Sequence, residues 1–329
     1  MNRRKWMTLT AASVAGAPFL LQRDVFGASM HTRSMAVEAD AHSGKSAAGA
    51  QSERALRIAH ITDTHLQPGN RSEYWTRVCL EHLHGLSDRP DVLFWGGDII
   101  NDALGRTENE VADQWELWSR LAGEVELPVR YAIGNHDVWG IEEAKNDPRY
   151  GKNWPTQLLG LSNRYYDFAL ENWHVIVLDG THTNSEGGWY IARLDEDQFA
   201  WLKERLGTIP PETPVMVLTH IPILCAAAYF DGDNERTGNW VVPGAWMHID
   251  ARRIVELFYE HPNVRLTVSG HIHLLDNVLY NGSTHCCNGA VSGRWWGGSF
   301  HQTPPGYALV DLYRDGSFEV TYHRYGWEE

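Results

Sequence analysis

The stretch "SGHIH" (269–273) sets two histidines on either side of one isoleucine, at the end of an apolar run. In an extended segment, residues two apart point to the same side, so the imidazoles of His271 and His273 are expected to face a common space about 6–7 Å apart. That spacing suits two ligands of one metal site. An isolated pair of this kind is more often a solvated strand end, so the interpretation depends on the rest of the chain.

Further residues able to bind a metal stand at the ends of short apolar runs rich in β-forming residues. Such runs predict mostly buried strands, and they cover 56–63, 91–98, 128–137, 174–180, 214–220 and 264–271. The polar residues at or just beyond their C-terminal ends are Asp63, His65, Asp98, Asn135, His136, Asp137, His220, His271 and His273. Ligand crevices in open α/β sheets form at this edge, so residues far apart in sequence are expected to converge there.

Helix-like stretches separate several of these runs, at 72–86, 108–123, 195–206 and 247–260. Alternation of strand and helix predicts a layered α/β fold. Beyond residue 276, the pairs Asn281-Gly282 and Asp315-Gly316 predict hairpin turns, which makes 276–329 a mainly antiparallel β part. We therefore expect two β-sheets packed together.

The ligand candidates comprise four histidines, two aspartates and one asparagine, without a thiolate. Imidazole and oxygen ligands of this kind suit Mn, Fe or Zn, and the set is too large for one ion. Two ions about 3.5–4 Å apart need a bridging carboxylate. Asp98, beside two glycines that allow close approach, is the natural choice. His271 and His273 would then serve two neighbouring metals.

Five short motifs occur in an order and rough spacing that resembles the calcineurin-like metallophosphoesterases. They are "DTH" (63–65), "GGD" (96–98), "GNHD" (134–137), "TH" (219–220) and "GHIH" (270–273). With the predicted elements, the resemblance implies a four-layer α/β/β/α sandwich of two mixed β-sheets flanked by helices. The dimetal site would lie at the C-terminal ends of the strands.

The resemblance also assigns roles position by position. It implies that one metal is bound by Asp63, His65 and His273. It implies that the other metal is bound by Asn135, His220 and His271. Asp98 would bridge both metals, while His136 would sit over the substrate with Asp137 orienting it.

The chemistry expected of such a site is phosphoester hydrolysis. A hydroxide held between two divalent or mixed-valence metals is nucleophilic near neutral pH, and His136 would protonate the leaving oxygen as general acid. The segment 178–206 resembles the branch related to bacterial cyclic-nucleotide phosphodiesterases, which favours a phosphodiester over a phosphomonoester. Two loops, 226–246 and 292–307, supply the candidate substrate contacts Arg294, Trp295, Trp296 and Trp240.

Other interpretations remain open at this stage. A phosphomonoesterase of the same fold would use the same metal ligands. A binding protein that has lost catalysis would be indicated by a missing ligand or a replaced His136, and neither is seen. A metallo-β-lactamase-like hydrolase would carry an HxHxDH run, which this sequence lacks. Packing between sheet and loop explains Trp295 and Trp296 as well as substrate contact does.

The charge of the chain limits its partners. Its 329 residues include 28 Lys and Arg against 42 Asp and Glu, a formal net charge of -14. This balance argues against a broad electrostatic grip on a nucleic acid polymer or an anionic membrane. We expect a small-molecule phosphoester to be attracted locally, by the bound cations.

The N-terminus, "MNRRKWMTLTAASVAGAPFLL", places basic residues ahead of an apolar run too short to span a bilayer. It resembles a twin-arginine export signal, and a disordered basic tail is the alternative. We expect an export signal at 1–28, a flexible linker at 29–55 and the metallophosphoesterase domain at 56–329. The protein would then meet the export machinery, reach the periplasm or the exterior, and have no stable membrane insertion. The four cysteines are expected to be buried thiols, with a Cys79 to Cys225 bridge left open.

Overall fold

The computed structural model describes residues 44–45, 52–184 and 190–327. The predicted export signal and most of the predicted linker lie outside these ranges. The described chain enters the fold slightly earlier than predicted, because Gly44 and Lys45 pair with a C-terminal strand and the first long strand begins at Arg54. Pairing at a sheet edge uses main-chain groups, so no hydrophobic periodicity marks it in the sequence.

Fourteen strands and five α-helices are found within the described ranges. The strands are β1 (Gly44–Lys45), β2 (Arg54–Ile61), β3 (Val92–Trp95), β4 (Val129–Tyr131), β5 (Tyr166–Leu170), β6 (Trp173–Leu178), β7 (Thr181–Thr183), β8 (Tyr190–Ala192), β9 (Val215–Thr219), β10 (Val264–Ser269), β11 (Asp276–Tyr280), β12 (Ser283–Cys287), β13 (Tyr307–Tyr313) and β14 (Phe318–His323). The helices are α1 (Ser72–His84), α2 (Glu108–Ala122), α3 (Asn153–Leu158), α4 (Glu196–Thr208) and α5 (Ala251–Glu260).

The strands form two mixed six-stranded sheets and one short hairpin. The first sheet has the order β1-β14-β13-β2-β3-β4, and the second has the order β11-β12-β10-β9-β6-β5. In the first sheet β2, β3 and β4 are parallel, with β4 at the edge, and in the second sheet β6, β9, β10 and β12 are parallel. Antiparallel strands complete both sheets, β13 beside β2 in the first and β5 and β11 at the two edges of the second, and β7 pairs with β8 outside both sheets.

Three layers of apolar side chains show that the two sheets pack face to face with helices outside them. Side chains alternate across each strand, so Leu93 and Trp95 pack towards α1 and α2 whereas Phe94 packs between the sheets. On β9, Val217 faces α4 and α5 while Leu218 faces the other sheet. Each large side chain buried in this way contributes about 1.5–3 kcal/mol. The predicted four-layer α/β/β/α sandwich is therefore confirmed.

Local signals explain where the principal helices begin. The Thr107 side chain accepts from the Glu110 backbone N–H, and the Glu110 carboxylate accepts from the Thr107 N–H, which closes a capping box at the start of α2. Asp195 accepts from the Gln198 N–H at the start of α4. Both helices carry acidic residues in the first turn, where the helix dipole favours negative charge.

Most predicted elements are present, with differences at their ends. The hairpin turns at Asn281-Gly282 and Asp315-Gly316 join β11 to β12 and β13 to β14. The third predicted strand, 128–137, is regular only over Val129–Tyr131, because its later residues turn into the site. Helix α3, strand β5 and the β7–β8 hairpin were missed, being short and only partly buried. No described helix is long and apolar enough to cross a membrane.

The cysteines are buried and free, as expected. Cys79 packs between the first sheet and its helices, whereas Cys225 lies in a separate apolar cluster with Cys287. A Cys79 to Cys225 bridge is therefore absent from the described structure. Burial raises the pKa of the Cys79 thiol far above its usual value, so this group is inert near neutral pH.

Candidate metal centre

The predicted ligands converge at one edge of the sandwich. The C-terminal ends of the parallel strands β2, β3 and β4 meet those of β9 and β10 there, and the polar residues follow directly. Three groups of described side chains have ligand atoms lying within 4.8 Å of one another, and two of them consist of predicted ligands only. Of these two, the first group comprises Asp63, His65 and His273, and the second comprises Asp98, His220 and His271. The remaining group, His65, Asp98 and His136, shares a member with each of them.

Distances within the first group match those between ligands of one cation. His65 Nε2 and His273 Nε2 are 3.2 Å apart, and His273 Nε2 lies 3.3 Å from Asp63 Oδ1. Two nitrogens bound tetrahedrally to one zinc ion would be about 3.4 Å apart, given Zn–N bonds of about 2.0–2.1 Å. All three side chains are buried.

Asp98 belongs to the second group and also lies close to the first. Its Oδ2 is 3.1 Å from His220 Nε2 in the second group and 3.9 Å from His65 Nε2 in the first. Asn135 is buried, and its Oδ1 has no hydrogen-bond partner among the described residues. The structure therefore brings six of the seven predicted ligands within reach of one another, and Asn135 stays a predicted ligand.

Each carboxylate has one oxygen anchored and the other directed into the site. Asp63 Oδ2 accepts from the Thr62 hydroxyl at 2.7 Å and from the His271 backbone N–H at 3.0 Å. Asp98 Oδ1 accepts from the His136 N–H at 2.8 Å. Asp63 Oδ1 and Asp98 Oδ2 are the oxygens that face the histidines. This arrangement orients a carboxylate before any ligand arrives.

Backbone carbonyls fix the tautomers of three histidines. His220 Nδ1 donates to Gly96 O at 2.8 Å and His273 Nδ1 donates to Gly293 O, which leaves Nε2 of each ring as the atom available to a metal. His271 is turned the other way, with Nε2 donating to Ala245 O at 3.0 Å and Nδ1 free. Metal-binding histidines are commonly held in this manner, by a hydrogen bond from the second ring nitrogen.

Several of these atoms are buried without a hydrogen-bond partner, which ordinarily costs about 1–3 kcal/mol each. Within the described part of the chain they include Asp63 Oδ1, Asn135 Oδ1, His220 Nε2 and His271 Nδ1. A buried set of carboxylate and amide oxygens and ring nitrogens of this kind is stabilised by a cation. The donor set therefore fits two metal ions of the type that oxygen and imidazole ligands prefer.

Burial and neighbouring charge set the protonation of the histidines. Burial lowers the pKa of His65 and of His271 to about 3, so both rings are neutral at physiological pH, the form that binds metals. Burial has the same effect on His220, but the Asp98 and Asp63 carboxylates outweigh it and raise the pKa to about 9. A cation bound to His220 Nε2 would have to displace that proton.

The sequence analysis placed the two histidines of "SGHIH" on an extended strand, and this prediction is wrong. β10 ends at Ser269, and His271 and His273 both have positive φ, 71° and 59°. Left-handed backbone of this kind is uncommon for non-glycine residues. The two rings therefore reach the two different ligand groups through a turn, and the alternation of strand side chains does not place them.

Glycine is required where the motif turns approach one another. A Cβ atom at Gly134 would collide with the backbone and carboxylate of Asp98. At Gly97, where φ is +98°, a Cβ atom would meet the His220 ring at 2.7 Å. The glycines of "GGD" and "GNHD" therefore allow the ends of β3, β4 and β9 to pack closely enough for their side chains to meet.

His136 lies at the edge of the site with its side chain partly exposed. Its Nε2 is 4.0 Å from Asp98 Oδ2, and its Nδ1 is 3.5 Å from Asp102 Oδ1. Burial lowers its pKa, but Asp98 and Asp102 outweigh this effect and raise it to about 9. His136 is thus held as a proton donor beside the candidate ligands.

Asp137 does not make the contact with His136 that was predicted for it. Its Oδ1 accepts from the Ile99 and Ile100 backbone N–H groups at 2.9 and 3.2 Å, and its Oδ2 accepts from Gly134 N–H at 2.8 Å. Asp137 therefore fastens the turn after β4 to the turn after β3. Asp102, in the described structure, is the carboxylate beside the His136 ring, and its spacing in "GGDIIND" gave no sign of this.

A cavity of about 120 Å³ opens beside the candidate ligands. Besides Asp98, His136, His271 and His273, it is lined by Tyr190, Asp231, Trp246, Ile272, Trp295 and Phe300. A larger cavity of about 350 Å³ lies between β11, β12 and β14, but none of its lining residues belongs to the ligand groups. The smaller cavity is therefore the one that a substrate of this site would enter.

The four predicted substrate contacts have different positions. Trp295 lines the cavity and stacks on His273, with ring centroids 4.4 Å apart. Trp296 is buried beneath the site, where its Nε1 donates to His65 O at 3.3 Å. Trp240 is exposed and packs on Tyr229. Arg294 is exposed and is not among the residues that line the cavity.

These positions correct the predicted substrate contacts. Trp296 is a structural residue, because its indole packs into the core and supports the backbone of a candidate ligand. Trp240 and Arg294 are exposed and are not among the residues that line the cavity, although other residues of their loops are. Tyr190 and Asp231 were missed, since no motif marks them and only the folding of the loops brings them to the cavity.

This fold and this ligand set agree with comparison to known protein families. The calcineurin-like phosphoesterase model matches residues 56–275, well over half of the chain. The chain therefore belongs to the calcineurin-like phosphoesterase family. Its members use divalent metals, and the two ligand groups are the corresponding candidates here.

Individual relatives are distant. A probable glycerophosphodiester phosphodiesterase of Arcobacter nitrofigilis is 21% identical over 68% of this chain and 74% of its own length. A 3′,5′-cyclic-nucleotide phosphodiesterase of Nostoc sp. is 23% identical over 82% of this chain and 92% of its own. Among solved structures, a dimetal phosphatase from Danio rerio superposes with a TM-score of 0.58 at 15% identity, covering 82% of this chain and all of that one. The last similarity shows the fold alone.

Proposed function

We propose that the protein is a dinuclear-metal-dependent hydrolase of phosphodiesters. We choose a diester because of the residues that line the cavity beside the candidate ligands. Trp246, Trp295, Phe300 and Tyr190 supply large aromatic surfaces, and no Lys or Arg is among the described residues that line it. Contact with such walls would stabilise a second organic arm on phosphorus. A monoester dianion would instead be bound more tightly by cationic hydrogen-bond donors.

The proposed metal ligands are those that the family resemblance implied. Asp63, His65 and His273 would hold one ion. Asn135, His220 and His271 would hold the other, with Asp98 shared between them. Mn, Fe or Zn ions bound here would lower the pKa of a water molecule and neutralise the phosphoryl oxygens. The anchored carboxylates and tautomers described above keep the ligand atoms in place without rearrangement.

His136 is the proposed general acid. Its ring borders the cavity, and Asp102 at 3.5 Å favours the protonated form. A proton held on His136 Nε2 would pass to the leaving oxygen as the P–O bond breaks, a role worth about 10²–10⁴ in rate. Asp137 contributes indirectly, because it ties together the turns that carry Asp98 and His136.

The test compares bis(p-nitrophenyl) phosphate with p-nitrophenyl phosphate at equal metal loading. We expect kcat/KM to be about tenfold or more higher for the diester, the size of effect that one apolar wall contributes. An Asp98→Ala preparation, purified in parallel, shows how much activity comes from contaminating enzymes. A clear preference for the monoester would assign the protein to the phosphomonoesterases of this fold, and no activity on either would indicate a binding protein.

We further propose that the protein is exported through its N-terminal segment, to the periplasm or the exterior. The basic residues Arg3, Arg4 and Lys5 ahead of a short apolar run support this proposal. The proposal concerns residues outside the described part of the structure and rests on sequence alone.

A further inference from the structure

The cavity beside the ligands is small. Its volume is about 120 Å³, whereas pockets that enclose a drug-sized ligand usually occupy about 300–1,000 Å³. A nucleoside arm would have to lie mostly outside it. A short alcohol arm of a few heavy atoms could be enclosed. The size of the cavity thus favours a diester with one compact arm.

The aromatic side chains form the walls of the cavity on more than one side. Trp295 and Phe300 are in contact, with ring centroids 6.0 Å apart, and both also contact His273. Tyr190 packs against His271, with ring centroids 6.2 Å apart. Ring faces carry negative quadrupole charge and attract an alkylammonium group within about 6 Å of the ring centroid.

Asp231 places a carboxylate among these rings. Asp98 is the other carboxylate in the described lining of the cavity, and it belongs to the proposed metal ligands. The Asp231 side chain is 23% exposed, and its Oδ1 is 3.7 Å from His301 Nε2. That distance is longer than a hydrogen bond. The partner of Asp231 in the described structure is therefore a loosely placed histidine, which is charged only when protonated.

Burial raises the pKa of the Asp231 carboxyl group, and the nearby His301 and His273 only partly oppose this effect. When neighbouring groups only partly offset the cost of burying a carboxylate, an added positive charge stabilises its ionised form. The mouth of the cavity therefore combines aromatic faces with a negative charge, a pairing that recognises ammonium groups.

We infer that this cavity selects phosphodiesters in which one ester arm is a short alkylammonium alcohol, with Asp231 as its counter-ion. The inference rests on the proposed function, since it names the arm that the proposed diesterase prefers. The phosphate lies towards the candidate metal ligands at one side of the cavity. The ammonium group lies between Asp231 and the ring faces of Trp295 and Phe300.

Binding is tested first, with two alcohols of the same shape. Choline carries a quaternary ammonium group, and 3,3-dimethylbutan-1-ol has a neutral carbon in its place. We expect choline to quench the tryptophan fluorescence of the metal-loaded protein, and to inhibit bis(p-nitrophenyl) phosphate hydrolysis, at about tenfold lower concentration. Equal potency of the two alcohols would overturn the inference without use of any variant.

Turnover is tested with two diesters that share one leaving group. These are the p-nitrophenyl ester of phosphocholine and p-nitrophenyl 3,3-dimethylbutyl phosphate. We expect the intact protein to prefer the ammonium ester by about tenfold in kcat/KM, equivalent to about 1.4 kcal/mol. Asp231→Asn should bring the ratio close to one while the neutral ester is still hydrolysed. Asp233→Asn, an exposed residue of the same loop, is the matched control and should keep the ratio.

The outcomes separate the two proposals. If neither diester nor bis(p-nitrophenyl) phosphate is hydrolysed, the proposed diesterase function is wrong. If the diesters are hydrolysed equally well by the intact protein, the function stands and the inferred arm is wrong. If Asp231→Asn lowers both rates by the same factor, Asp231 only connects its loop to His301, and the inference fails.

Discussion

Individual residues of the candidate metal centre are held in an uncommon backbone conformation. Asp63, His65, Asp98, His271 and His273 have φ between 41° and 71°, a region that costs a non-glycine residue about 1–3 kcal/mol in many settings. The cost is offset by hydrogen bonds that fix each turn, such as His65 N–H to Asp98 O at 3.0 Å. Backbone strain concentrated in the ligands is a feature expected of a site built for binding.

Asp98 is the residue whose loss should affect both ligand groups. We expect Asp98→Ala to abolish hydrolysis and to reduce bound metal to one ion or none, because its Oδ2 faces His220 and His65 alike. Metal content is measured by inductively coupled plasma mass spectrometry on the purified variant. Asp113→Ala, on the exposed face of α2, is the control. Two tightly bound ions in Asp98→Ala would contradict the bridging role.

His136 should affect turnover more than metal content. We expect His136→Ala to keep both ions and to lose about 10²–10⁴ in kcat on alkyl esters, with a smaller loss on p-nitrophenyl esters. The reason is that p-nitrophenolate leaves without a proton. Equal losses on activated and unactivated esters would argue that His136 is not a general acid.

Asp102 is expected to act through His136 as a positioning residue. Its carboxylate lies 3.5 Å from His136 Nδ1 and favours the protonated ring. Asp102→Asn should therefore move the basic limb of the kcat profile to lower pH for alkyl esters. The same profile on p-nitrophenyl esters should change little, and a uniform fall at every pH would indicate a purely structural role.

At the scale of the elements, the parallel strands of each sheet explain the position of the site. Strands β2, β3 and β4 end at the same edge as β9 and β10, so turns from distant parts of the chain meet there. The other strands contribute to the cores and sheet edges. Strand β12, which is parallel to β10 and antiparallel to β11, carries a buried titratable group that the proposed chemistry does not use, His285.

His285 should make the protein less stable in mild acid. Its Nδ1 is 2.9 Å from the Thr267 hydroxyl, and burial lowers its pKa to about 4. An unfolded histidine has a pKa of about 6.5, so the unfolded chain binds more protons between these values. The stability from the neutral ring is fully present above pH 6.5 and is lost as the pH falls towards 4. The difference between the two pKa values corresponds to a loss of about 3 kcal/mol in the free energy of unfolding.

The measurement is urea unfolding of metal-free protein from pH 8 to pH 4, comparing the intact chain with His285→Gln. The difference in unfolding free energy at pH 8 gives the packing cost of the substitution. We expect this difference to shrink or reverse as the pH falls, because glutamine does not titrate. A difference that stays constant across the range would show that His285 does not contribute to acid sensitivity.

At the scale of the whole molecule, the acidic charge and the position of the site are complementary. A chain with 42 acidic and 28 basic residues repels anions at long range. Cations held by the candidate ligands would reverse the potential locally, at the place where the phosphate reacts. Selection for small substrates is consistent with this arrangement, since a polyanion would meet unfavourable charge over the rest of the surface.

The proposed export is tested independently of catalysis. Residues 1–28 fused to a folded reporter should direct it out of the cytoplasm through a route that accepts folded cargo. Changing Arg3 and Arg4 together to lysine should retain the positive charge but block this route. Cell fractionation measures the outcome, and export that survives the double change would leave only a general secretory signal.

The sequence by itself determined the layers of the fold and supplied the candidates for the metal centre. Strand patterning, hairpin turns and the polar residues at strand ends follow from local periodicity, which a linear sequence displays directly. Family motifs supplied the seven ligand candidates, and the structure brings six of them together. The geometry within the "GHIH" turn was predicted wrongly, because its positive φ values depend on contacts with Asp63 and Ala245 that lie far away in sequence.

Only the tertiary structure decided what surrounds the ligands. Asp102 beside His136, Asp137 between two turns and Asp231 at the cavity all lie on loops without a repeating pattern, and Tyr190 begins a strand of only three residues. The same is true of Trp295 and Trp296, adjacent in sequence, of which one lines the cavity and the other is buried under it. The physical reason is that spacing along a chain fixes directions only within regular strands and helices, whereas the path of a loop is set by packing against distant residues.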